Sequence, residues 1–455
     1  MKPLTNENRI IRQVNLSFNS LSIYRKVLED RVMDSLFQLT SFLENEELNV
    51  GQALSLYSSF FHQLVGQSTC GPSLKAHILK ALLKDDNAFS RACEASSFEA
   101  LDPSLVSAAS NDIACLKFIA GLASRTVKEI IRPSARYDVE AAAVEKMPDW
   151  SLEPYVDCFG VSGSILEVLL AAFEAEGSEG FVKKTYEFHN ANGSGLFAGF
   201  KAFVWEHREG CGSLRGVSSP DPILLKDLVG YELERSEVIN NTLQFLEEHP
   251  ANNVLLYGDR GTGKSSTVKA ILNEYHSRGL RLVEVPKMHL MDFPEIIRSL
   301  STRKQKFIIF VDDLVFEDNE ENYTALKAAL EGGIEVKPSN VLIYATSNRR
   351  HLIKEKFSDR YGLSSSNHDD EVRAADTIQE KLSLSDRFGI TVVFSSPDKQ
   401  RYLEIVEGIA SKRNLKVDKD YLHKEALKWE LWYNGRSPRT ARQFIDWLEG
   451  QGTNP

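Results

Sequence analysis

Residues 258–265 have the types and spacing that bind the phosphates of a nucleotide. They read Gly-Asp-Arg-Gly-Thr-Gly-Lys-Ser, so two glycines with four residues between them are followed by a lysine and a hydroxyl residue. Glycines let the backbone curl around a triphosphate so that successive N–H groups point inward. Lys264 is then expected to reach the β and γ phosphates, and Ser265 to hold Mg²⁺. The residues of this loop that are predicted to contact the nucleotide are Asp259, Arg260, Gly261, Thr262, Gly263, Lys264, Ser265 and Ser266.

The segments on either side of the loop are those that such a site needs. Residues 253–257 are a short apolar run typical of a buried parallel strand, and residues 264–278 predict a helix. The positive end of that helix would add to the same anion site. A strand, a glycine-rich loop and a helix therefore follow one another in the required order.

A carboxylate follows a later apolar run. Residues 307–311 predict a strand that leads directly into Asp312 and Asp313. A carboxylate at the end of a strand beside a phosphate loop can orient the water shell of the ion held by Ser265. Asp312 is therefore predicted as a metal residue together with Ser265.

A polar amide follows the next apolar run. Residues 340–346 predict a strand, and Asn348 lies just beyond its end, where an amide can hold an attacking water in line with the γ-phosphate. Arg349 and Arg350 come next and could bind a phosphate or a neighbour, although a solvated pair is the default interpretation. Two further strands are predicted at residues 282–285 and 391–394.

The composition is that of a globular protein large enough for two or three domains. The chain has 455 residues, of which 42% are hydrophobic and 26% charged, and a net charge of −10, which argues against coating of nucleic acid through bulk charge. Five scattered cysteines without paired spacing predict buried reduced thiols. The polar N-terminus and the absence of a run of roughly 18 apolar residues favour a cytoplasmic protein without a membrane segment.

Residues 1–215 are expected to form a mostly helical domain that serves partner recognition or acts as a scaffold. Apolar residues recur at helical spacing from residue 8 to about residue 132. The runs 181–189 and 196–205 fit two strands around a Gly/Asn turn, or the end of one helix and the start of another. Residues 211–220 are expected to be a linker.

The motifs after residue 220 together resemble the AAA+ ATPases. The segments 253–266, 310–314, 345–352 and 380–389 look more closely like a bacterial family of predicted ATPases catalogued as domain of unknown function 815. The resemblance implies an α/β P-loop fold with a five-stranded parallel sheet between helices at residues 220–395. It also implies a C-terminal helical lid at residues 396–455, and ATP and Mg²⁺ as ligands.

The resemblance also assigns roles to individual residues. Val229, Gly230 and Tyr231 match the segment that contacts adenine, although an ordinary helix start is the alternative. Asp313 takes the place where most AAA+ proteins have a glutamate that polarises the attacking water, and Glu317 is a second candidate for that base.

Three further assignments rest on the same resemblance. Asn348 matches the first sensor residue, and Arg387, just before the last strand, matches the arginine finger that acts on a neighbouring subunit. An ion pair of Arg387 with Asp386 or Glu380 is the alternative. Arg439 best matches the second sensor, with Arg442 in reserve; these assignments make Asp313, Asn348, Arg387 and Arg439 the candidate catalytic residues.

Three functions remain open at this point. The first is a homo-oligomeric ATP hydrolase that remodels or loads an unidentified protein or nucleic-acid partner. The second is an ATP-dependent switch or scaffold with slow turnover, which Asp313 in place of glutamate favours. The third is a DNA-binding ATPase similar to helicase loaders, whose DNA binding would depend steeply on salt.

Overall fold

The computed structural model describes residues 5–67, 71–151, 163–208, 210–314, 320–331, 338–348, 387–433 and 435–451. The chain divides into two compact units, Met1–Phe200 and Lys201–Pro455. Among the described residues, no single helix has the length and apolar character needed to cross a membrane. Two consecutive helical segments, Pro103–Ala120 and Ser124–Ser134, are together long and apolar enough, but the chain bends by 65° between them.

The first unit is helical, in agreement with the spacing of its apolar residues. Its helices within the described ranges are α1 (Asn6–Asn19), α2 (Arg31–Leu43), α3 (Val50–Gly66), α4 (Leu74–Lys84), α5 (Ala88–Ala95), α6 (Pro103–Ala120), α7 (Ser124–Ile131), α8 (Asp138–Glu145), α9 (Gly163–Ala175), α10 (Ser178–Asn192) and α11 (Leu196–Gly199). The run 181–189 lies within α10, whereas the run 196–205 contains α11 and the start of a strand at residue 202. Neither alternative for these two runs is therefore right as a whole.

Two of these helices begin at polar residues beside proline. The Ser73 side chain accepts from the backbone N–H of Ala76 and caps α4. Asp102 caps α6 in the same way, and Pro103 occupies the first helical position, where its missing N–H costs nothing. The buried carboxylate of Asp112 on α6 then accepts from the backbone N–H groups of residues 22–24, which fixes the turn after α1.

The second unit contains strands and helices in alternation. Its strands are β1 (Ala202–Arg208), β2 (Cys211–Gly216), β3 (Val254–Gly258), β4 (Leu280–Glu284), β5 (Lys306–Val311), β6 (Val341–Ser347) and β7 (Ile390–Phe394). Its helices within the described ranges are α12 (Glu232–Leu246), α13 (Lys264–Tyr275), α14 (Phe293–Ser301), α15 (Glu320–Glu331), α16 (Lys399–Lys412), α17 (Lys419–Trp432) and α18 (Pro438–Gly450).

The described strands form one sheet with the order β2-β1-β4-β5-β6-β3-β7. All neighbouring pairs are parallel except β1 and β2, which form an antiparallel hairpin at one edge. The prediction of a five-stranded sheet is therefore wrong in its count, because it included β3 to β7 and missed the hairpin. The sheet retains the α/β P-loop arrangement that the motifs predicted.

The hairpin also moves the domain boundary. In β1, Ala202 and Phe203 pair with Leu282 and Val283 of β4, so the second unit begins at residue 201 and not after residue 215. The segment expected to be a linker contains β2 instead. The Gly, Ser and Pro residues at its two ends indicated a linker, but β2 is an edge strand that pairs on one side only.

The central strands explain the apolar runs of the sequence. Every residue of β6 is buried, and β5 is buried from Phe307 onward, because parallel strands are covered by helices on both faces. Strand β6 lies between β5 and β3. Since parallel strands end at the same edge of a sheet, the loops after β3, β5 and β6 come together there.

Within the described residues after β7, the chain forms three helices. The side chains of Asp398, Asp418 and Ser437 cap α16, α17 and α18, and each accepts from a backbone N–H in the first turn of its helix. Pro438 occupies the first position of α18. The helices pack together through buried residues, which include Tyr402, Ile405, Ala426, Phe444 and Ile445.

The cysteines differ from one another in exposure. Cys93 is buried, Cys115 is half-buried and Cys211 is exposed, and all three are free thiols. The expectation of buried thiols is therefore wrong for Cys211, which lies on the edge strand β2. Cys70 and Cys158 lie outside the described residues.

Candidate nucleotide-binding site

The loop between β3 and α13 has the backbone shape that its glycines predicted. Gly258 has φ of 137°, and a Cβ there would lie 2.1 Å from the carbonyl oxygen of Phe394 on β7. Gly261 has φ of 77°, and a Cβ there would lie 3.0 Å from the Cβ of Arg439. Side chains at these two positions would therefore force β7 or the start of α18 away from the loop.

The amine of Lys264 is buried inside this loop. Only 7% of the residue is exposed, and Nζ donates to the carbonyl oxygens of Gly258 (3.0 Å) and Asp259 (2.7 Å) and to Oδ1 of Asn348 (3.1 Å). Burial lowers the pKa of Lys264 to about 8, although nearby carboxylates raise it in part. An anionic group beside this amine would favour its charged form, so the loop fits a phosphate.

Three oxygen-bearing side chains meet beside the start of α13. Oδ1 of Asp312 accepts from Oγ of Ser265 (2.6 Å) and from Oγ1 of Thr346 (2.5 Å). Hard divalent cations such as Mg²⁺ prefer oxygen ligands of this kind. The structure thus brings the two predicted metal residues together, and their chemistry fits magnesium.

Thr346 is a residue of this site that the sequence did not single out. It is the sixth residue of β6, it is 1% exposed, and its Oγ1 also accepts from the backbone N–H of Asp313 (2.8 Å). A hydroxyl residue close to the end of a largely apolar strand was the available signal. The adjacent strands β5 and β6 place Thr346 directly beside the carboxylates.

Asp313 is held in an uncommon conformation with both carboxylate oxygens engaged. Its φ is 52°, in the left-handed region. Oδ1 accepts from Nδ2 of Asn348 (2.6 Å), and Oδ2 lies 3.4 Å from Nζ of Lys287. Lys287 was not predicted, and it follows Pro286 just after β4. Glu317, the second candidate for the base, lies outside the described residues.

The phosphate loop, the two carboxylates and Asn348 line a cavity of about 450 Å³, which is within the size range of small-molecule sites. The lining includes the predicted residues Val229, Arg260, Gly261, Thr262, Gly263, Lys264, Ser265, Ser266, Asp312, Asp313, Asn348 and Arg439. It also includes Asp227, Leu228, Arg235, Thr346, Ile409, Pro438 and Arg442.

Helix α18 closes one side of the cavity. The backbone N–H of Arg439 donates to the carbonyl oxygen of Gly261 (3.1 Å), so the first turn of α18 lies directly on the phosphate loop. Arg439 and Arg442, one turn apart, both line the cavity. The structure therefore keeps both arginines as candidates for the second sensor.

Of the three residues predicted to contact adenine, Val229 lines the cavity and the other two do not. Val229 lines the cavity and packs against Gly408 of α16, where an added Cβ would lie 2.5 Å from its Cγ1. Tyr231 lies outside the lining: it is fully buried, and its hydroxyl donates to the carbonyl oxygen of Ser395 (2.6 Å). Gly230 also lies outside the lining, with its carbonyl accepting from the Arg235 side chain.

Two other predicted residues do not line this cavity. The side chain of Asp259 accepts from the backbone N–H of Ser396 (2.7 Å), so it fastens the loop to the end of β7. Arg387 is half-buried just before β7. Asp386 and Glu380, the alternative ion-pair partners of Arg387, lie outside the described residues. The same is true of Arg349 and Arg350.

The sheet order, the phosphate loop and the carboxylate and amide at the adjacent strand ends define an α/β P-loop fold, the class that the AAA+ motifs of the sequence predict. A model of the family described as "Protein of unknown function (DUF815)" matches residues 198–452. The match covers more than half of the chain, which therefore belongs to this family. A search of the curated proteins found no match.

Solved structures of RuvB from Thermotoga maritima resemble part of the chain. A mutant of that protein shares 18% sequence identity, with a TM-score of 0.34, over 50% of this chain and 67% of that chain. A second variant shares 16% identity with a TM-score of 0.32, over 50% of this chain and 72% of that one. A structure titled as a Holliday junction branch migration motor shares 15% identity with a TM-score of 0.31, over the same shares.

Proposed function

We propose that this protein binds ATP with Mg²⁺ in the cavity at the ends of β3, β5 and β6 and hydrolyses it. The observation that carries the proposal is the meeting of Lys264, Ser265, Asp312, Asp313 and Asn348, from three separate strand ends, in one cavity. A buried amine, a carboxylate oxygen bound by two hydroxyls, a second carboxylate and an oriented amide are the groups that phosphoryl transfer uses.

The binding part of the proposal assigns the phosphates to the loop and Lys264. Backbone N–H groups at the start of α13 and the buried amine supply donors and positive charge, and Ser265 and Asp312 would hold the metal. Magnesium, when bound, neutralises charge on the phosphate oxygens. Val229, packed against α16, would contact the adenine ring of the nucleotide.

The catalytic part assigns the attacking water to Asp313 and Asn348. The amide of Asn348 donates to Oδ1 of Asp313 and so fixes the direction in which that carboxylate accepts a proton. Asp313 has one methylene fewer than the glutamate of most AAA+ proteins, and its carboxylate still lies within hydrogen-bond distance of Asn348.

We further propose that hydrolysis requires a second copy of the chain. Arg387 lies outside the cavity lining of its own chain, which supports the proposal that it acts on the nucleotide of a neighbouring subunit. Arg439 or Arg442 would sense the γ-phosphate from α18 and couple the angle of the three C-terminal helices to nucleotide state. The helical first unit would recognise the macromolecule that is remodelled or loaded.

The test of the binding site compares two lysines of α13. Lys264→Ala is expected to weaken ATP binding roughly 100-fold, because a charge-assisted contact of about 2–3 kcal/mol is lost. Lys269→Ala is the matched control: Lys269 lies on the same helix, makes only a 3.8 Å ion pair with Asp221, and should leave ATP affinity unchanged. Equal affinity of the two variants would refute the site.

The test of catalysis uses Asp313→Asn. We expect ATP affinity within threefold of the wild type and a hydrolysis rate about 10²–10⁴-fold lower, the usual contribution of a general base. Malachite-green phosphate release and fluorescent-nucleotide titration measure the two quantities. A variant that hydrolyses ATP at the wild-type rate would remove Asp313 from the mechanism.

A slow switch is a second candidate, and one observation favours it. Both oxygens of Asp313 are engaged, by Asn348 and by Lys287, so fewer of its lone pairs are open to the proton of an attacking water. Under this alternative Lys287→Ala would speed hydrolysis. If turnover in that variant stays at or below the wild-type rate, the switch loses its support.

A further inference from the structure

A second cluster of metal-binding side chains lies apart from the nucleotide cavity. Nε2 of His207 is 2.7 Å from Oδ2 of Asp292, and Nδ1 of His289 is 3.5 Å from the same oxygen. The three ligand atoms all lie within 4.8 Å of one another, and the two imidazole rings are 4.3 Å apart between centroids. This set of residues is called the His-His-Asp cluster below.

Two elements that are distant in sequence supply the cluster. His207 is on β1 of the edge hairpin, whereas His289 and Asp292 belong to the short helical segment Lys287–Asp292 between β4 and α14. Strand β1 pairs with β4, so the hairpin places His207 over the segment that follows β4. Neither element is part of the phosphate loop.

We propose that His207, His289 and Asp292 bind a divalent transition metal ion of the zinc type. Two imidazole nitrogens and one carboxylate oxygen form a ligand set of the kind found in zinc sites that keep a fourth position for water. Zinc–ligand distances of about 2.0–2.2 Å in a tetrahedron require ligand atoms about 3.3 Å apart. The 3.5 Å and 2.7 Å separations reach that value with small side-chain movements.

Exposure allows those movements and gives the ion a route from solvent. The side chain of His207 is 41% exposed, so it can move to bring the three ligand atoms, which lie within 4.8 Å of one another, to the spacing of a zinc site. Asp292 and His289 are more enclosed, with 20% and 18% of their side chains exposed. One adjustable ligand and two better-fixed ones are suited to capture an ion from water.

Trp205 orients the carboxylate before an ion arrives. Its Nε1 donates to Oδ2 of Asp292 (2.8 Å), and an ion would take the place of the contact between His207 and the same oxygen. The ring reaches this place because Gly212 lies alongside it on β2, and a Cβ there would lie 2.2 Å from the indole Cζ2. Trp205 is therefore a positioning residue for the site.

An ion here would also hold the segment that reaches the nucleotide cavity. Lys287 begins the same short helical segment, and its Nζ is the group 3.4 Å from Oδ2 of Asp313. An ion bound to His289 and Asp292 would tie this segment to the edge hairpin. None of the three ligands lines the nucleotide cavity, so the ion does not need ATP in order to bind.

The test is a Co²⁺ titration of the full-length protein without an affinity tag, with Mg²⁺ in excess. The wild type is expected to bind one Co²⁺ per chain with the strong visible absorbance of tetrahedral Co²⁺, and Zn²⁺ should displace it. His207→Ala and Asp292→Asn should each lose that absorbance. Trp205→Phe should keep it with about 10–100-fold weaker binding, as expected for a residue that orients a ligand.

Two control variants make the outcome specific. His249→Ala removes a histidine whose side chain is 67% exposed and which lies outside the cluster, and it should bind Co²⁺ as the wild type does. Cys211→Ser removes the exposed thiol of the same hairpin and should also retain the site. Zn²⁺ should raise the unfolding temperature of the wild type and of both controls but not of His207→Ala.

Three results would overturn the proposal. The first is a wild type whose Co²⁺ absorbance equals that of His207→Ala, and the second is loss of the signal in Cys211→Ser, which would assign the ion to the thiol. The third is the absence of saturable binding by the wild type. Far-UV circular dichroism of each variant without metal shows whether it folds. If His207→Ala does not fold, Asp292→Asn, which retains an acceptor for Trp205, takes its place in the comparison with the wild type.

Discussion

The side-chain amide of Asn348 donates a hydrogen bond of 2.6 Å to Oδ1 of Asp313. The oxygen of the same amide accepts from Nζ of Lys264 across 3.1 Å. One side chain at the end of β6 therefore connects the group assigned to the phosphates with the group assigned to the attacking water. The two ends of an amide have opposite polarity, so it can serve a cation and a carboxylate at once.

Asn348→Ala is expected to lower the rate of ATP hydrolysis by about 10²–10³-fold, as for loss of one preorganised donor, with ATP affinity within threefold of wild type. Steady-state phosphate release and nucleotide titration separate the two effects. Gln400→Ala, which removes an exposed amide on α16, is the control. Combined with Asp313→Asn, the Asn348 change should add little further loss, because the two residues act as a unit.

Thr346→Val tests a residue that only the structure revealed. The change keeps the shape of the side chain but removes the hydroxyl between Asp312 and the backbone of Asp313, so we expect roughly 10–100-fold slower hydrolysis and a loss of about 1–3 kcal/mol in stability. Thr242→Val is the matched control. Thr242 is buried and bonds to the hydroxyl of Tyr344 away from the cavity, so this variant should be less stable than the wild type but should hydrolyse ATP at the wild-type rate. Equal rates in both variants would contradict the assignment.

Arg387→Ala tests action between subunits. We expect a fall in hydrolysis of about 10³–10⁵-fold with near-normal ATP binding, the range known for arginine fingers. Mixing this variant with Lys264→Ala should restore part of the activity, because mixed interfaces pair an intact loop with an intact finger. A protein that remains monomeric by light scattering with ATP, and shows no recovery on mixing, would exclude a role in trans.

The buried amine of Lys264 predicts a pH-dependent stability. The unfolded chain keeps its proton up to the ordinary pKa of 10.5, whereas the folded chain releases it near 8. The unfolded state therefore binds more protons between these values, and this group makes the folded state more stable as pH rises from 8 to 10.5. Below pH 8 the charged amine in its buried place costs the fold on the order of 2–3 kcal/mol.

Lys264→Met removes this contribution while keeping a long side chain. Urea unfolding should show the variant more stable than the wild type at pH 7 without nucleotide, with the difference smaller at pH 9.5. ATP should stabilise the wild type and not the variant, because only the wild type binds it. A difference between the two proteins that is independent of pH would argue against a lowered pKa for this lysine.

Local patterns predicted the parts of the site that are continuous in sequence. The phosphate loop needs only eight consecutive residues, and the apolar runs before Asp312 and Asn348 are recognisable because strands β5 and β6 are covered on both faces. The edge hairpin was missed because no residue of β2 is buried and this strand pairs on one side only. An edge strand of this kind lacks the apolar run by which buried strands are recognised.

The sequence by itself determined that a glycine-rich loop, two carboxylates and an amide follow successive strands, since each of those features depends on neighbouring residues alone. Only the tertiary structure decided that Thr346 meets Asp312, that Lys287 meets Asp313 and that α18 rests on Gly261. It also decided that Tyr231 and Arg387 stay outside the cavity. These relationships depend on strand order and on the packing of helices far apart in the chain, and no local pattern of residues encodes such distances.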